Sequence, residues 1–246
     1  MIKIIIKKIK FIIPANILNH LFYKHPKISN MLSYIFWKSM VASGDVVIQG
    51  GADMGWKQEK FSASNVFKIS KIIGKKGKLF VIEPDLNNFR ALEEFIRCNE
   101  LNNIICIHKA IWSSQTKLKF MIGKRSNDSQ LSEYLKDVSI QIDKYWESEY
   151  EIDTITLDRL YKDYKINKLD FICLTINGAE YEALQGASIV LNKFSPKLYI
   201  AANHKTVRST INSEPYSEVI TRLLKNKNYS VHKDRKGWLF AKKDSV

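Results

Sequence analysis

Cysteine is scarce in this chain. Cys98, Cys106 and Cys173 are the only three in 246 residues, and none lies in a C-x-x-C or Cys/His ligand spacing. A zinc ribbon or finger is thereby excluded as the organising element, and no metal is expected. With no disulfide framework, the natural setting is a reducing, cytoplasmic compartment. Cys106 and Cys173 sit inside apolar runs and read as small core residues. Long apolar runs are missing too. The stretch IKIIIKKIKFII over 2–13 is broken by lysines and followed by Pro14, so it does not read as a membrane span. It also lacks the uninterrupted apolar core and small-residue cleavage site of a signal peptide. Acids are in short supply: 25 Asp and Glu stand against 39 Lys and Arg, a net charge of +14. Such a surplus fits an anionic partner, whether nucleic acid, acidic lipid headgroups or anionic substrates. It fits equally a lysine-rich solvated surface.

What remains is ordinary for a folded protein. Apolar residues make up 45% and charged residues 26%, enough to bury a real core in one α/β domain. In the first segment, Ile2, Ile5, Ile6, Ile9, Ile12 and Ile13 fall on one helical face, with Lys3, Lys7 and Lys10 on the other. This basic amphipathic helix either lies on an anionic membrane surface or packs on the domain. Two more helix-like segments fill 16–42, the second carrying Ile28, Leu32, Ile35, Phe36 and Met40 at helical spacing. Residues 1–43 therefore read as a helical N-terminal extension, and 44–246 as the domain.

From residue 46 strands and helices alternate. VVIQ (46–49), LFVIE (79–83), IICIH (104–108), LDFICLT (169–175) and PKLYIAAN (196–203) are apolar strands. Helices are expected up to Ile73, from Pro84 to Cys98, over 179–193 and over 214–226. KLKFMIG (117–123) and EIDTITL (151–157) are short strands, and 124–150 between them has no clear period. YSVHK (229–233) and GWLFAKK (237–243) flank a tight turn and form an antiparallel hairpin. Repeated β-α units imply a doubly wound, mostly parallel sheet with helices on both faces.

The strongest motif is VVIQGGADMG (46–55), a strand running into a glycine-rich turn. In doubly wound sheets ligands bind outside the carboxyl ends of the strands. Gly51 and Gly55 remove side chains where backbone must turn or approach a ligand. The spacing is not that of a nucleotide P-loop and lacks the third glycine of the dinucleotide fingerprint. One β-α-β unit later, strand 79–83 ends in Glu83, followed by Pro84 and Asp85. An acid there can accept both ribose hydroxyls of a nucleoside. The alternative for Glu83 is an acid favoured by a helix N-terminus.

These segments, together with HKAIW and LDFICLTINGAEYEALQGA, resemble the FkbM-type methyltransferases over roughly 44–243. The resemblance implies a class I, seven-stranded sheet, S-adenosylmethionine as cofactor, and methyl transfer to a hydroxyl on a sugar, glycan or other small acceptor. It implies cofactor contacts from Gln49, Gly51, Ala52, Asp53, Gly55, Glu83, Pro84 and Asp85, with Ala110 and Ile111 lining the adenine. Gln49 replaces the family's acid and Asp53 its Asn. In ICLTINGAE (172–180), Gly178, Ala179 and Glu180 match, while Cys173, Thr175 and Asn177 replace a Lys, an Asp and a Glu.

Thr175 and Asn177 can orient an acceptor but cannot take a proton near neutral pH. Glu180 and His204 are then the candidate bases, each with a plain alternative as a helix-start acid or a loop residue. The irregular 124–150 stretch, with Tyr134, Tyr145 and Trp146, is the expected cover of the acceptor pocket. Three functions follow: an active O-methyltransferase, a cofactor-binding protein that has lost catalysis, and a nucleic-acid methyltransferase. KDYKINK (162–168) favours the third, but no [ND]-P-P-[YFW] motif follows the fourth main strand. Nucleic acid is accordingly the least favoured partner.

Overall fold

The computed structural model describes residues 34–52, 65–124, 129–134, 146–202, 210–211, 214–234 and 237–243. Its strands are β1 (Val46–Gly50), β2 (Lys78–Ile82), β3 (Ile104–Ile107), β4 (Ala110–Ile111), β5 (Lys117–Gly123), β6 (Gln130–Leu131), β7 (Trp146–Ile155), β8 (Phe171–Leu174), β9 (Lys197–Ala201), β10 (Thr210–Ile211), β11 (Glu214–Pro215), β12 (Tyr229–Lys233) and β13 (Trp238–Lys243). The helices are α1 (residues 34–40), α2 (Asn65–Ile73), α3 (Leu86–Cys98), α4 (Leu157–Asp163), α5 (Glu180–Gln185), α6 (Ser188–Phe194) and α7 (Tyr216–Lys225).

Seven strands form the main sheet in the order β12-β13-β9-β8-β1-β2-β3. Pairing is parallel from β9 through β3, and β13 alone runs against its neighbours. The expected doubly wound sheet and closing hairpin are both present. Chain order reverses between β1 and β8, which makes their carboxyl ends the switch point where ligands bind in such sheets. The central strands are buried along nearly their whole length because helices cover both faces. Ile48, Ile172 and Ile200 pack against the face covered by α4 to α7, through Leu157, Leu184, Leu191 and Ile220. Val47, Val81 and Phe171 pack with α1 to α3, through Trp37, Ile69 and Leu92.

Helix α1 is part of this core. Trp37 is 2% exposed, its ring edge-on to Phe171 and Tyr199, and its Nε1 donates to Asn65 Oδ1 at 2.9 Å. Residues 2–13 lie outside the described residues. Among those described, no helix is long and apolar enough to cross a membrane.

Two expectations needed correction. The helix expected over 179–193 is two helices, broken at Gly186 and Ala187. A Cβ on Gly186 would stand 2.6 Å from the Trp112 carbonyl, so the chain is pressed against a neighbouring loop there. Asp158 then caps α6 from another helix: its carboxylate accepts from Ile189 N and Val190 N at 2.9 Å each. Asp158→Ala is expected to cost about 0.5–2 kcal/mol in denaturant unfolding, as for an N-cap loss. The stretch 124–150 is not irregular throughout. β6 and the first half of β7 lie in it, in a second sheet ordered β4-β7-β5-β6. β7 does alternate, with Glu149 paired to Lys119 outside and Tyr150 and Ile152 packed inside. Its outward residues are acids and its inward ones partly polar, so a search for apolar runs passes over its start.

Candidate functional site

The carboxyl ends of β1 and β8 are bound together by backbone. Gly50 O accepts from Thr175 N at 3.0 Å and from Thr175 Oγ1 at 3.1 Å. Gly51 N donates to Ile82 O at 2.9 Å, which ties the turn to β2 as well. Gly51 has φ +80°, and a Cβ there would lie 2.2 Å from the Thr175 carbonyl oxygen. Only glycine fits, on both counts. Ile111 reaches the same turn, its Cδ1 lying 2.7 Å from where a Gly50 Cβ would be. Beneath them Gln49 is 3% exposed. Its Nε2 donates to Gly51 O at 3.0 Å, while its Oε1 is buried without a hydrogen-bond partner among the described residues. A buried acceptor with no donor is costly unless a ligand supplies one.

Glu83 closes the next strand. One carboxylate oxygen accepts from Ala52 N at 2.5 Å and the other from Asp85 N at 2.8 Å. The acid thus fixes the glycine turn of β1 against the loop after β2. Asp85 is 1% exposed and caps α3, accepting from Asn87 N and Asn88 N. Pro84 O accepts from the Tyr150 hydroxyl and from His108 Nε2, the latter at 3.0 Å. Burial pushes the Tyr150 phenol above its ordinary range, so the hydroxyl keeps its proton and stays a donor. The second sheet therefore pins the loop that carries Glu83.

After β8 the chain turns through two left-handed residues, Asn177 at φ +51° and Gly178 at φ +101°. Glu180, 0% exposed, holds this turn. Its Oε1 accepts from Ile176 N at 2.9 Å, and its Oε2 from Gly178 N and the Tyr216 hydroxyl at 3.0 Å each. Asn177 Nδ2 donates to Ser129 O at 2.8 Å. Ser129 Oγ in turn donates to Asp85 Oδ2 at 2.6 Å and accepts from Gly123 N at 3.0 Å. One residue of the 124–150 stretch is thus clasped to both the Glu83 loop and the turn after β8.

The model of the methyltransferase FkbM domain matches residues 50–231. The chain belongs to the FkbM methyltransferase domain family. Among solved structures, this FkbM domain is similar to methyltransferase FkbM from Methylobacillus flagellatus, at 17% identity and a TM-score of 0.52, covering 84% of this chain and 47% of that one. It thus spans about half of that protein's length. A SAM-dependent methyltransferase from Aquifex aeolicus gives 14% identity, coverage of 85% and 87%, and a TM-score of 0.45. Aeropyrum pernix fibrillarin in complex with S-adenosyl-L-methionine gives 12%, coverage of 86% and 74%, and 0.46. No curated protein matches the chain.

Of the residues expected to serve this FkbM domain, Gln49, Gly51, Ala52, Glu83, Pro84 and Asp85 converge at one edge of the sheet. Ala110 and Ile111 join them through β4. Thr175, Asn177 and Glu180 lie across the switch point. Asp53, Gly55, Tyr145 and His204 lie outside the described residues. The residues that can hold S-adenosylmethionine fit that ligand in kind. Gln49 Oε1 has no donor among the described residues, and a cationic amine would supply one. Glu83 presents a buried carboxylate, the chemistry a ribose diol requires. Sequence reasoning missed Ser129, Tyr150 and Tyr216. Their partners are far away along the chain, so no local pattern marks them.

Proposed function

We propose that this FkbM domain transfers the methyl group of S-adenosylmethionine to a hydroxyl of a sugar, glycan or other small acceptor. The observation that carries the reading is Glu83: a buried acid bridging the ends of β1 and β2 beside the switch point. When bound, the cofactor supplies an electrophilic methyl on a sulfonium. The chain's own groups bind and orient. Glu83 takes the ribose, Gln49 Oε1 accepts from the amino end, and the Gly51 turn lets the backbone approach. Thr175 and Asn177 shape the acceptor side of the turn, and His204 is the group proposed to receive the acceptor's proton. Glu180 is proposed as a positioning residue, because its carboxylate is 0% exposed and accepts from three donors, Ile176 N, Gly178 N and the Tyr216 hydroxyl. Glu83, by contrast, accepts from two backbone donors and keeps acceptor capacity for the ribose.

Titration of the protein with S-adenosylmethionine and S-adenosylhomocysteine tests the reading. Binding in the micromolar range or tighter is expected, and no binding removes it. Glu83→Ala should weaken affinity by roughly 10- to 150-fold, the loss of a charged hydrogen bond worth about 1.5–3 kcal/mol. An unchanged affinity would take Glu83 out of the site.

The side-chain bonds of Thr175, Asn177 and Glu180 also favour a second reading, a cofactor-binding protein without turnover. Each of the three is engaged with backbone. Methylation of any acceptor in a panel of hydroxylated compounds excludes that reading. Cofactor binding with no methylation of any panel member supports it.

A further inference from the structure

The edge of the main sheet opposite Glu83 carries a separate feature. In a β-α-β crossover the helix runs back, so every helix-to-strand link returns the chain to the amino edge of the sheet. The described links read GKKG (74–77), NELNN (99–103), YKINKLD (164–170), SP (195–196) and NKN (226–228). Three of the five contain lysine, none contains arginine, and NELNN carries the acid Glu100. Lys78 and Lys197 open the strands that two of the links feed.

Most of these lysines have no carboxylate partner among the described residues, as is also true of Lys38 and Lys117. On other faces Lys119 pairs with Glu149 at 2.9 Å and Lys233 with Glu218 at 3.0 Å. Among the described residues of the amino edge, only Lys168 is matched by carboxylates, with Asp170 at 3.1 Å and Asp45 at 3.9 Å. Lys75, Lys76, Lys78, Lys165 and Lys197 are exposed and have no ion-pair partner among the described residues. Register places Lys78 and Lys197 on strands β2 and β9, with β1 and β8 between them. The charges therefore extend over about 14 Å, three strand spacings. Part of this charge complements the helix C-termini that end here, but that effect is confined to the last turn of a helix. Lys75, Lys76, Lys165 and Lys197 lie beyond it.

We infer that this amino edge is a docking surface for an anionic lipid bilayer. The composition selects the partner. Ammonium groups on flexible stems act as point charges toward a diffuse anionic surface, whereas nucleic-acid grooves favour the planar, stacking guanidinium and interleaved aromatics. The described links hold no arginine and one aromatic residue, Tyr164, and the arginines in the helix turns that end at this edge, Arg97 and Arg222, are paired with Glu94 and Glu214. The KDYKINK run, which pointed to nucleic acid as a sequence, belongs to this edge and not to the candidate site. Docked this way, the domain turns Glu83 and the Gly51 turn toward solvent. The inference stands independently of the methyl-transfer reading.

The test is co-sedimentation of the full chain with phosphatidylcholine vesicles, with and without phosphatidylserine, at low ionic strength. Wild type should partition onto the phosphatidylserine vesicles only, and salt should release it. The quadruple variant K75Q/K76Q/K165Q/K197Q should lose about two to three orders of magnitude in partitioning, from about fivefold per lysine. Its thermal melting and S-adenosylhomocysteine affinity should be unchanged, since none of the four touches the site. A variant that still binds like wild type overturns the inference and leaves residues 2–13 as the membrane element. Equal binding of wild type to neutral vesicles overturns it as well. So does displacement from the vesicles by an equal phosphate concentration of single-stranded RNA, which would mark a nucleic-acid surface.

Discussion

Gly51→Ala is expected to lower stability by about 2–5 kcal/mol and to abolish cofactor binding. Two costs add. An L-residue in the left-handed region costs about 1–2 kcal/mol. Forcing a methyl into filled space costs about 1–3 kcal/mol more. Here the methyl would meet the Thr175 carbonyl oxygen at 2.2 Å, and that oxygen belongs to backbone that is itself bonded to Gly50. It cannot yield unless β1 and β8 part at the switch point. Gly44 is the control. Its φ of +84° matches, but nothing lies within 4 Å of the added Cβ, so Gly44→Ala should cost only the conformational share. Denaturant unfolding of the two variants separates strain from collision, and calorimetry with S-adenosylhomocysteine reads the site. Equal losses for both variants would mean that the Gly51–Thr175 approach is not as close as described.

How much of this was legible beforehand depends on the range of the forces involved. The main sheet was readable because apolar runs and links set it locally: strands were expected at 46–49, 79–83 and 104–108 and are found at Val46–Gly50, Lys78–Ile82 and Ile104–Ile107. Glu83 was readable because strand, acid and glycine turn succeed one another within one β-α-β unit. Its partners were not. The expected role was ribose binding, and the structure adds that its two oxygens hold Ala52 N and Asp85 N. The break at Gly186 was hidden because its cause, the Trp112 carbonyl, is remote in the chain. Ser129 illustrates the same limit. A serine in a polar stretch has no pattern, yet it links Asp85, Gly123 and Asn177 across separate elements. Asn177 was read as an acceptor-facing amide. The structure adds a left-handed φ and a bond to Ser129 O, so Asn177 also ties the turn after β8 to the segment before β6.

Glu180 separates a base from a positioning residue, and its replacement is the second large effect expected. Three donors converge on its carboxyl group, and the side chain is 0% exposed. Glu180→Ala strands Ile176 N and Gly178 N in the interior. Each buried donor left unsatisfied costs about 1–3 kcal/mol, so a total of roughly 2–6 kcal/mol is expected. Glu180→Gln keeps one acceptor oxygen and turns an NH2 group toward a remaining N–H donor. Its cost should be smaller, about 1.5–3 kcal/mol, but still plain in denaturant unfolding. The Tyr216 hydroxyl is the diagnostic partner. It accepts from Tyr181 N at 3.0 Å and lies within donating distance of both Gly178 O and Glu180 Oε2. Tyr216→Phe and Glu180→Gln should therefore be non-additive in stability, because they disturb one network. A general base behaves otherwise. Glu180→Gln would then fold with wild-type stability, lose about 100-fold or more in turnover, and flatten the acid limb of the pH–rate profile. If Glu180 positions the turn, residual turnover in Glu180→Gln should keep the wild-type pH profile. Loss of the acid limb with no loss of stability would overturn the positioning role and restore Glu180 as the base.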